Sequence, residues 1–228
     1  MQLKHSHKDE LLEGKWLNDC HIHASQQLIK LDPDLQHIRG LQDPIYGQSL
    51  QFDVVHEEMV QILHSGGNHW ITVSTIGSTS PSTVQVYDSL GKALPLDTKK
   101  QVAAILHSPD KEINLEYANV QVRIITINFY SLLHRSSFMV LFFDLQKQPN
   151  HSDCGLFAIA NAMALCNGQT PEHLYYDVKG MRQHLAGCLE DKVFRHFPAR
   201  KRKVSQETKK SEAIKVYCSC RCLKVERG

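Results

Sequence analysis

Residues 148–164 read QPNHSDCGLFAIANAMA. From Gly155 to Cys166 the chain is apolar nearly all round, a pattern of a helix buried on every side rather than one lying on a surface. Cys154 falls at the first turn of that helix. The free N–H groups and dipole of a helix N-terminus favour a thiolate over a thiol, and the thiolate is the species that attacks. The competing reading is a small apolar core residue, as free cysteines usually are. The helix start alone leaves the two readings balanced. Cys166 and Cys188 lack this setting and read as core.

Upstream, His69 to Ile76 alternates and is rich in Ile, Val and Thr, which predicts a strand. The run GSTSPST is a turn signal and Val84 to Tyr87 a second strand, so the two are expected to form a hairpin. Thr98 to His107 reads as a helix, and Val120 to Asn128 and Phe138 to Leu145 as strands. Near the start, Gly14 to Lys30 has apolar residues at spacings of three and four and predicts a helix, with Asn18 or Asp19 able to cap it. Residues 31 to 50 look like loop, and Phe52 to Leu63 is helical in period first and strand-like at its end. Downstream, Pro171 to Leu189 predicts one or two amphipathic helices. Strands in runs between separated helices give an α+β fold, with a central, mostly antiparallel sheet packed against the buried helix that carries the nucleophile.

The 228 residues suffice for one core without disulfide support. Hydrophobic content of 42% and charged content of 22% are ordinary for a globular chain, and a net charge of +2 argues against a nucleic-acid binder as a whole. Seven cysteines are an odd number, four of them widely scattered, and MQLKHSHKDE carries no apolar leader. The most apolar run, Phe138 to Phe143, is far too short for a membrane span. A reduced intracellular compartment, nuclear or cytoplasmic, is the expectation.

A cysteine nucleophile needs a histidine in reach and a group to orient it. With fourteen histidines, spacing alone selects none. His69 opens a predicted strand and precedes Trp70, and Asp88 ends the partner strand in VYDSL, so a hairpin would bring both to one sheet edge. The plainer reading is an exposed loop histidine and a turn-capping aspartate. On the residues alone the plainer reading stands.

The blocks GKWLNDCHI (14–22), NHWITVS (68–74), VYDSL (86–90) and QPNHSDCG (148–155), in that order, resemble the SUMO-protease (Ulp-type, adenain-like) family of cysteine peptidases. Each block is weak alone; four in order, across roughly residues 14 to 198, are specific. The resemblance implies Cys154 as nucleophile, His69 as base, Asp88 as the residue orienting it, and Gln148 as oxyanion donor. It further implies that Trp70 and Trp16 wall a narrow tunnel and that Asp19 contacts the modifier. Core packing is the alternative for both tryptophans. The implied activity is cleavage after the C-terminal Gly-Gly of a ubiquitin-like, SUMO-like modifier, by a monomer needing no metal or organic cofactor. The alternatives are a catalytically silent modifier-binding module derived from a transposon-borne protease, and an acyltransferase with the same His, Asp, Cys order.

The protease domain is expected over residues 1–198. Residues 122–144 match nothing in the family pattern and read as an insertion; without them EYANVQ would run almost directly into LQKQPN. Residues 199–228 read as a basic flexible tail, through which alone nucleic acid is an expected partner. Its PARKRKV start resembles a nuclear-localisation segment, and Cys218, Cys220 and Cys222 read as a truncated finger that lacks the ligands for a closed zinc site.

Overall fold

The computed structural model describes residues 5–35, 37–78, 83–106, 114–118, 137–142 and 145–202. In chain order the elements are α1 (His5–Leu12), α2 (Asp19–Lys30), β1 (Arg39–Gly40), α3 (Tyr46–Ser49), β2 (Met59–His64), β3 (Trp70–Ser74), β4 (Thr83–Tyr87), α4 (Leu96–Leu106), β5 (Asn114–Ala118), β6 (Ser137–Phe142), α5 (Cys154–Cys166), β7 (Leu174–Tyr176), α6 (Val178–Asp191) and β8 (Ala199–Lys201). Single 3₁₀ turns lie at Pro33–Leu35 and Pro171–His173.

Six strands form one sheet in the order β1-β2-β3-β4-β6-β5. The strand pairs β2–β3 and β3–β4 are antiparallel, whereas β1–β2, β4–β6 and β5–β6 are parallel. The sheet, expected to be mostly antiparallel, is therefore mixed, with its antiparallel pairing confined to β2, β3 and β4. Parallel neighbours must be reached by crossover connections, which a local reading of strand periodicity does not register.

Both faces of the centre are covered. Ile71 and Val73 of β3 and Val84 and Val86 of β4 belong to one core cluster with Val102 and Ile105 of α4, whereas Trp70 and Tyr87 belong to the other, which contains α5. Every residue of α5 is buried, as its all-round apolarity predicts, and Thr72 donates its hydroxyl to the Ala158 carbonyl at 2.7 Å, tying helix to sheet.

The remaining differences have local causes. Helix α2 begins at Asp19 rather than Gly14 because Asn18 caps it: its side chain accepts from the His21 N–H while the His21 ring reaches back to the Asn18 N–H. The polar opening residues form α1, held by buried Leu11 and by a Lys8–Glu190 pair to α6 at 2.9 Å. Within 171–189, β7 interrupts the expected helices because it pairs antiparallel with β8, so the first residues of the expected tail are strand. Of the expected insertion, Ser137–Phe142 occupies an interior place in the sheet between β4 and β5, and the strand expected over 120–128 lies outside the described residues. The cysteines at 218, 220 and 222 also lie outside them.

Candidate active site

Sheet register fixes where the polar residues meet. In the β3–β4 ladder Thr72 faces Tyr87, so the positions just before β3 and just after β4 fall at one edge of the sheet. His69 and Asp88 occupy them, and His69 Nε2 lies 2.7 Å from Asp88 Oδ1. Both are buried, at 7% and 3% exposure. The Asp88 carboxylate also accepts from the Leu90 and Lys92 N–H groups, each at 2.8 Å. Burial alone would raise its pKa, but the bond and charge of His69 and these two N–H groups outweigh burial and hold it below the ordinary aspartate value. Asp88 is thus an ionised, three-fold-anchored acceptor.

Burial likewise disfavours a charged His69, yet the Asp88 bond and the neighbouring Cys154 thiol prevail and push its pKa up to about 9. With Nε2 committed to Asp88, the buried Nδ1 has no hydrogen-bond partner. The thiol beside it points instead to the Asn68 carbonyl, with Sγ 3.7 Å from the oxygen. Cys154 is 2% exposed, as the first residue of α5. Cys154 nevertheless lies near enough to His69 to favour the charged imidazole, and catalytic hydrogen bonds tighten when substrate arrives. Cys166, by contrast, sits wholly within the core, and burial pushes its thiol up to about 12.

Gln148 is buried and joined to the residue after Asp88 by two bonds: its N–H donates to the Ser89 carbonyl at 3.3 Å, and Ser89 donates its hydroxyl to Gln148 Oε1 at 2.6 Å. Its Nε2 donates to the Asn150 carbonyl at 2.5 Å, leaving the second amide hydrogen uncommitted. Asn150 in turn accepts from the Ser152 and Asp153 N–H groups and donates to Asp153 Oδ2 at 2.7 Å. Sequence reading missed Ser89 and Asn150, although each stands inside a block that it singled out.

The two indoles are placed differently. Trp70 is buried, donates its ring N–H to the Leu17 carbonyl at 2.8 Å, and meets the His64 ring edge-on at a centroid separation of 4.8 Å. Trp16 is 49% exposed and donates to the His151 carbonyl, also at 2.8 Å. Core packing therefore does not describe Trp16. It is an exposed ring tied to the loop that precedes Cys154. Asp19 is exposed at the first turn of α2, close enough to His64 to favour its charged form, although burial first and the charge on His69 second leave the His64 pKa lowered. All seven sequence-chosen residues thus lie in segments that hydrogen bonds, register or electrostatics connect around one sheet edge.

A thiol at the mouth of a buried helix, beside a buried imidazole–carboxylate pair, is the equipment of a cysteine-dependent hydrolase. Residues 56–196, more than half of the chain, match the Ulp1 protease family, C-terminal catalytic domain, and the chain belongs to that family of cysteine proteases. Among solved structures it is similar to the C-terminal Ulp1 protease domain in complex with Smt3, the yeast ortholog of SUMO, at 15% identity and a TM-score of 0.51, covering 82% of each chain. It is also similar to a de-sumoylating protease, at 12% identity and a TM-score of 0.52, covering 83% of this chain and 86% of the other. At these identities the likeness is one of fold, and the fold is the adenain-like α+β arrangement expected from the sequence. No curated protein sequence matches the chain. Among the described residues, no helix is long and apolar enough to cross a membrane.

Proposed function

We propose that the chain is a thiol isopeptidase that hydrolyses the bond following the C-terminal Gly-Gly of a SUMO-like modifier, in deconjugation or maturation. The observation that carries this reading is the buried His69–Asp88 pair, its Nδ1 without a hydrogen-bond partner, beside a Cys154 thiol at the start of α5 that acts on the His69 charge. The raised pKa of His69 favours the pair's proton on the imidazole, and the Cys154 thiolate attacks the glycine carbonyl carbon, forming the S–C bond as the carbonyl π pair moves to oxygen. The second N–H of Gln148 and the free N–H groups of the first turn of α5 receive that oxyanion. Collapse breaks the C–N bond, and His69 gives its proton to the departing amine. Water then adds to the thioester with His69 as base, releasing the modifier's carboxylate and the thiol. Asp88 keeps the imidazole in the tautomer these transfers need.

Trp70 and exposed Trp16 flank the approach to Cys154, where only residues without side chains would pass, and Asp19 offers a carboxylate to the modifier's surface. The family membership and the fold shared with a protease held in complex with Smt3 support a SUMO-like partner over other acyl donors. The test is a panel of ubiquitin-like modifiers ending in Gly-Gly with an electrophilic C-terminus. A covalent adduct with a SUMO-like probe, lost in Cys154→Ala, is expected. Tight binding of the modifier with no adduct, by a protein whose Cys154 still alkylates freely, would refute the enzymatic reading.

A further inference from the structure

Asp153 occupies the N-cap position of α5, where an aspartate ordinarily folds back onto the helix's first N–H groups. Here it makes no such bond. Its carboxylate is turned outward: Oδ1 accepts from Arg182 Nη2 at 2.6 Å and Nε at 3.0 Å, and Oδ2 accepts from Asn150. The ion pair is largely withdrawn from water, with side chains 15% and 5% exposed. Arg182, from α6, makes further bonds: Nη1 reaches the Leu11 and Lys15 carbonyls, each at 2.9 Å, and Nη2 also the Ser152 carbonyl and hydroxyl. One guanidinium therefore joins the end of α1, the residue before Trp16, and the loop leading into Cys154.

We infer that Arg182 is a positioning residue, holding the Asp153 carboxylate off the mouth of α5 and balancing its charge, so that the helix's N–H groups face the reacting anion instead. This rests on the assignment of Cys154 and His69 as the reacting pair. Without Arg182, a buried carboxylate would stand unpaired next to the nucleophile. It would oppose thiolate formation and compete for the very N–H groups that receive the oxyanion. Of the other titratable groups here, His69 acts on Cys154 directly, with Asp88 behind it and His64 beside it. None of them belongs to α6, so their contribution is unaltered in Arg182 variants.

The experiment follows the rate of Cys154 alkylation by iodoacetamide against pH, by peptide mass mapping, with thermal unfolding in parallel. In Arg182→Gln the acid limb of the profile is expected to move up by about one pH unit, making alkylation about tenfold slower below it. Adding Asp153→Asn to that variant should bring the limb back. Arg182→Lys, which keeps the charge but loses the fork, should hold the limb near its wild-type place while lowering the melting temperature. In Asp153→Asn alone, with Arg182 left unneutralised, the limb should move to lower pH; this variant decides the matter if Arg182→Gln does not fold. A limb unmoved in folded Arg182→Gln, or unmoved or raised in Asp153→Asn, overturns the inference and leaves Arg182 as a structural tie alone. Alkylation of the wild type no faster than that of His69→Ala overturns instead the underlying assignment of the reacting pair.

Discussion

Gly155, immediately after Cys154, packs closely against Leu17 and Trp70. A methyl group placed there would lie 2.9 Å from Leu17 Cβ, 3.2 Å from Leu17 Cδ2 and 3.3 Å from Trp70 Cδ1. Favourable carbon contacts lie at about 3.5–4.0 Å, so Leu17 must retreat by several tenths of an ångström or more. Its Cβ is fixed to the backbone and has no rotamer by which to escape. The retreat therefore moves the Leu17 carbonyl, which is the acceptor for the Trp70 ring N–H. Two terms compete in Gly155→Ala. Alanine gains about 1 kcal/mol over glycine in a helix, less at a first turn, whereas overpacking a full core costs about 1–3 kcal/mol. The balance is a net loss of about 1–2 kcal/mol, or a melting temperature lower by roughly 2–8 °C for a chain of this size. Because the strain falls on Leu17 and Trp70, adduct formation with the Gly-Gly probe should drop at temperatures where the variant is still fully folded. Urea unfolding and probe kinetics on the same preparation measure both. A variant as stable as the wild type, or more so, would show that the gap between Leu17 and Trp70 accommodates a methyl group and that this glycine does not set the packing.

Two further outcomes concern the buried pair. Asp88→Asn removes the charge that His69 leans on and favours the wrong imidazole tautomer. Probe reaction should fall by about 10³–10⁴-fold, with a stability loss of about 1–3 kcal/mol from the weakened bonds to His69, Leu90 and Lys92; a fall below tenfold would deny Asp88 its orienting role. The pH dependence of stability follows from the raised His69 pKa. The native state holds this proton more tightly than the unfolded chain, so the stabilisation is fully present below about 6.5 and is lost as pH rises through about 9. Urea midpoints of wild type and His69→Gln should therefore converge between pH 6 and 9.5, and a gap that stays constant across that range would contradict the assignment.

How much of this was legible in the sequence depended on how local each cause is. Helix α5 was, because apolarity on every face has one structural meaning. The convergence of His69 and Asp88 was only allowed by the hairpin: strand alternation could bring both to one sheet edge, but the residues alone favoured an exposed loop histidine and a turn-capping aspartate, and the family resemblance decided between the two. The exact start of α2 was within reach, since Asn18 had the right chemistry to cap, but helical period extended the prediction back to Gly14. The parallel pairing of β4 with β6 and of β5 with β6 was not legible, because nothing in Ser137–Phe142 states which strand it will lie beside. Nor was the β7–β8 ladder, whose partners are separated by the whole of α6.

Arg182 is the instructive case. In sequence it is one more basic residue on an amphipathic helix, 28 positions beyond the nucleophile, and a solvated surface role is the default for such a residue. Its partners are backbone carbonyls at Leu11, Lys15 and Ser152, the Ser152 hydroxyl and a single carboxylate, a set with no local signature in sequence. What local reasoning does supply is an anomaly. The aspartate of Asp-Cys-Gly sits where an N-cap belongs and declines to cap, leaving the start of a 13-residue helix without its usual side-chain acceptor. Local rules are broken where another demand outweighs them. A capped α5 would be the more stable helix taken alone, but its N–H groups would already be spent on Asp153. On the function proposed above, diverting that carboxylate to Arg182 leaves them directed at the space in front of Cys154, where an incoming carbonyl oxygen becomes negatively charged.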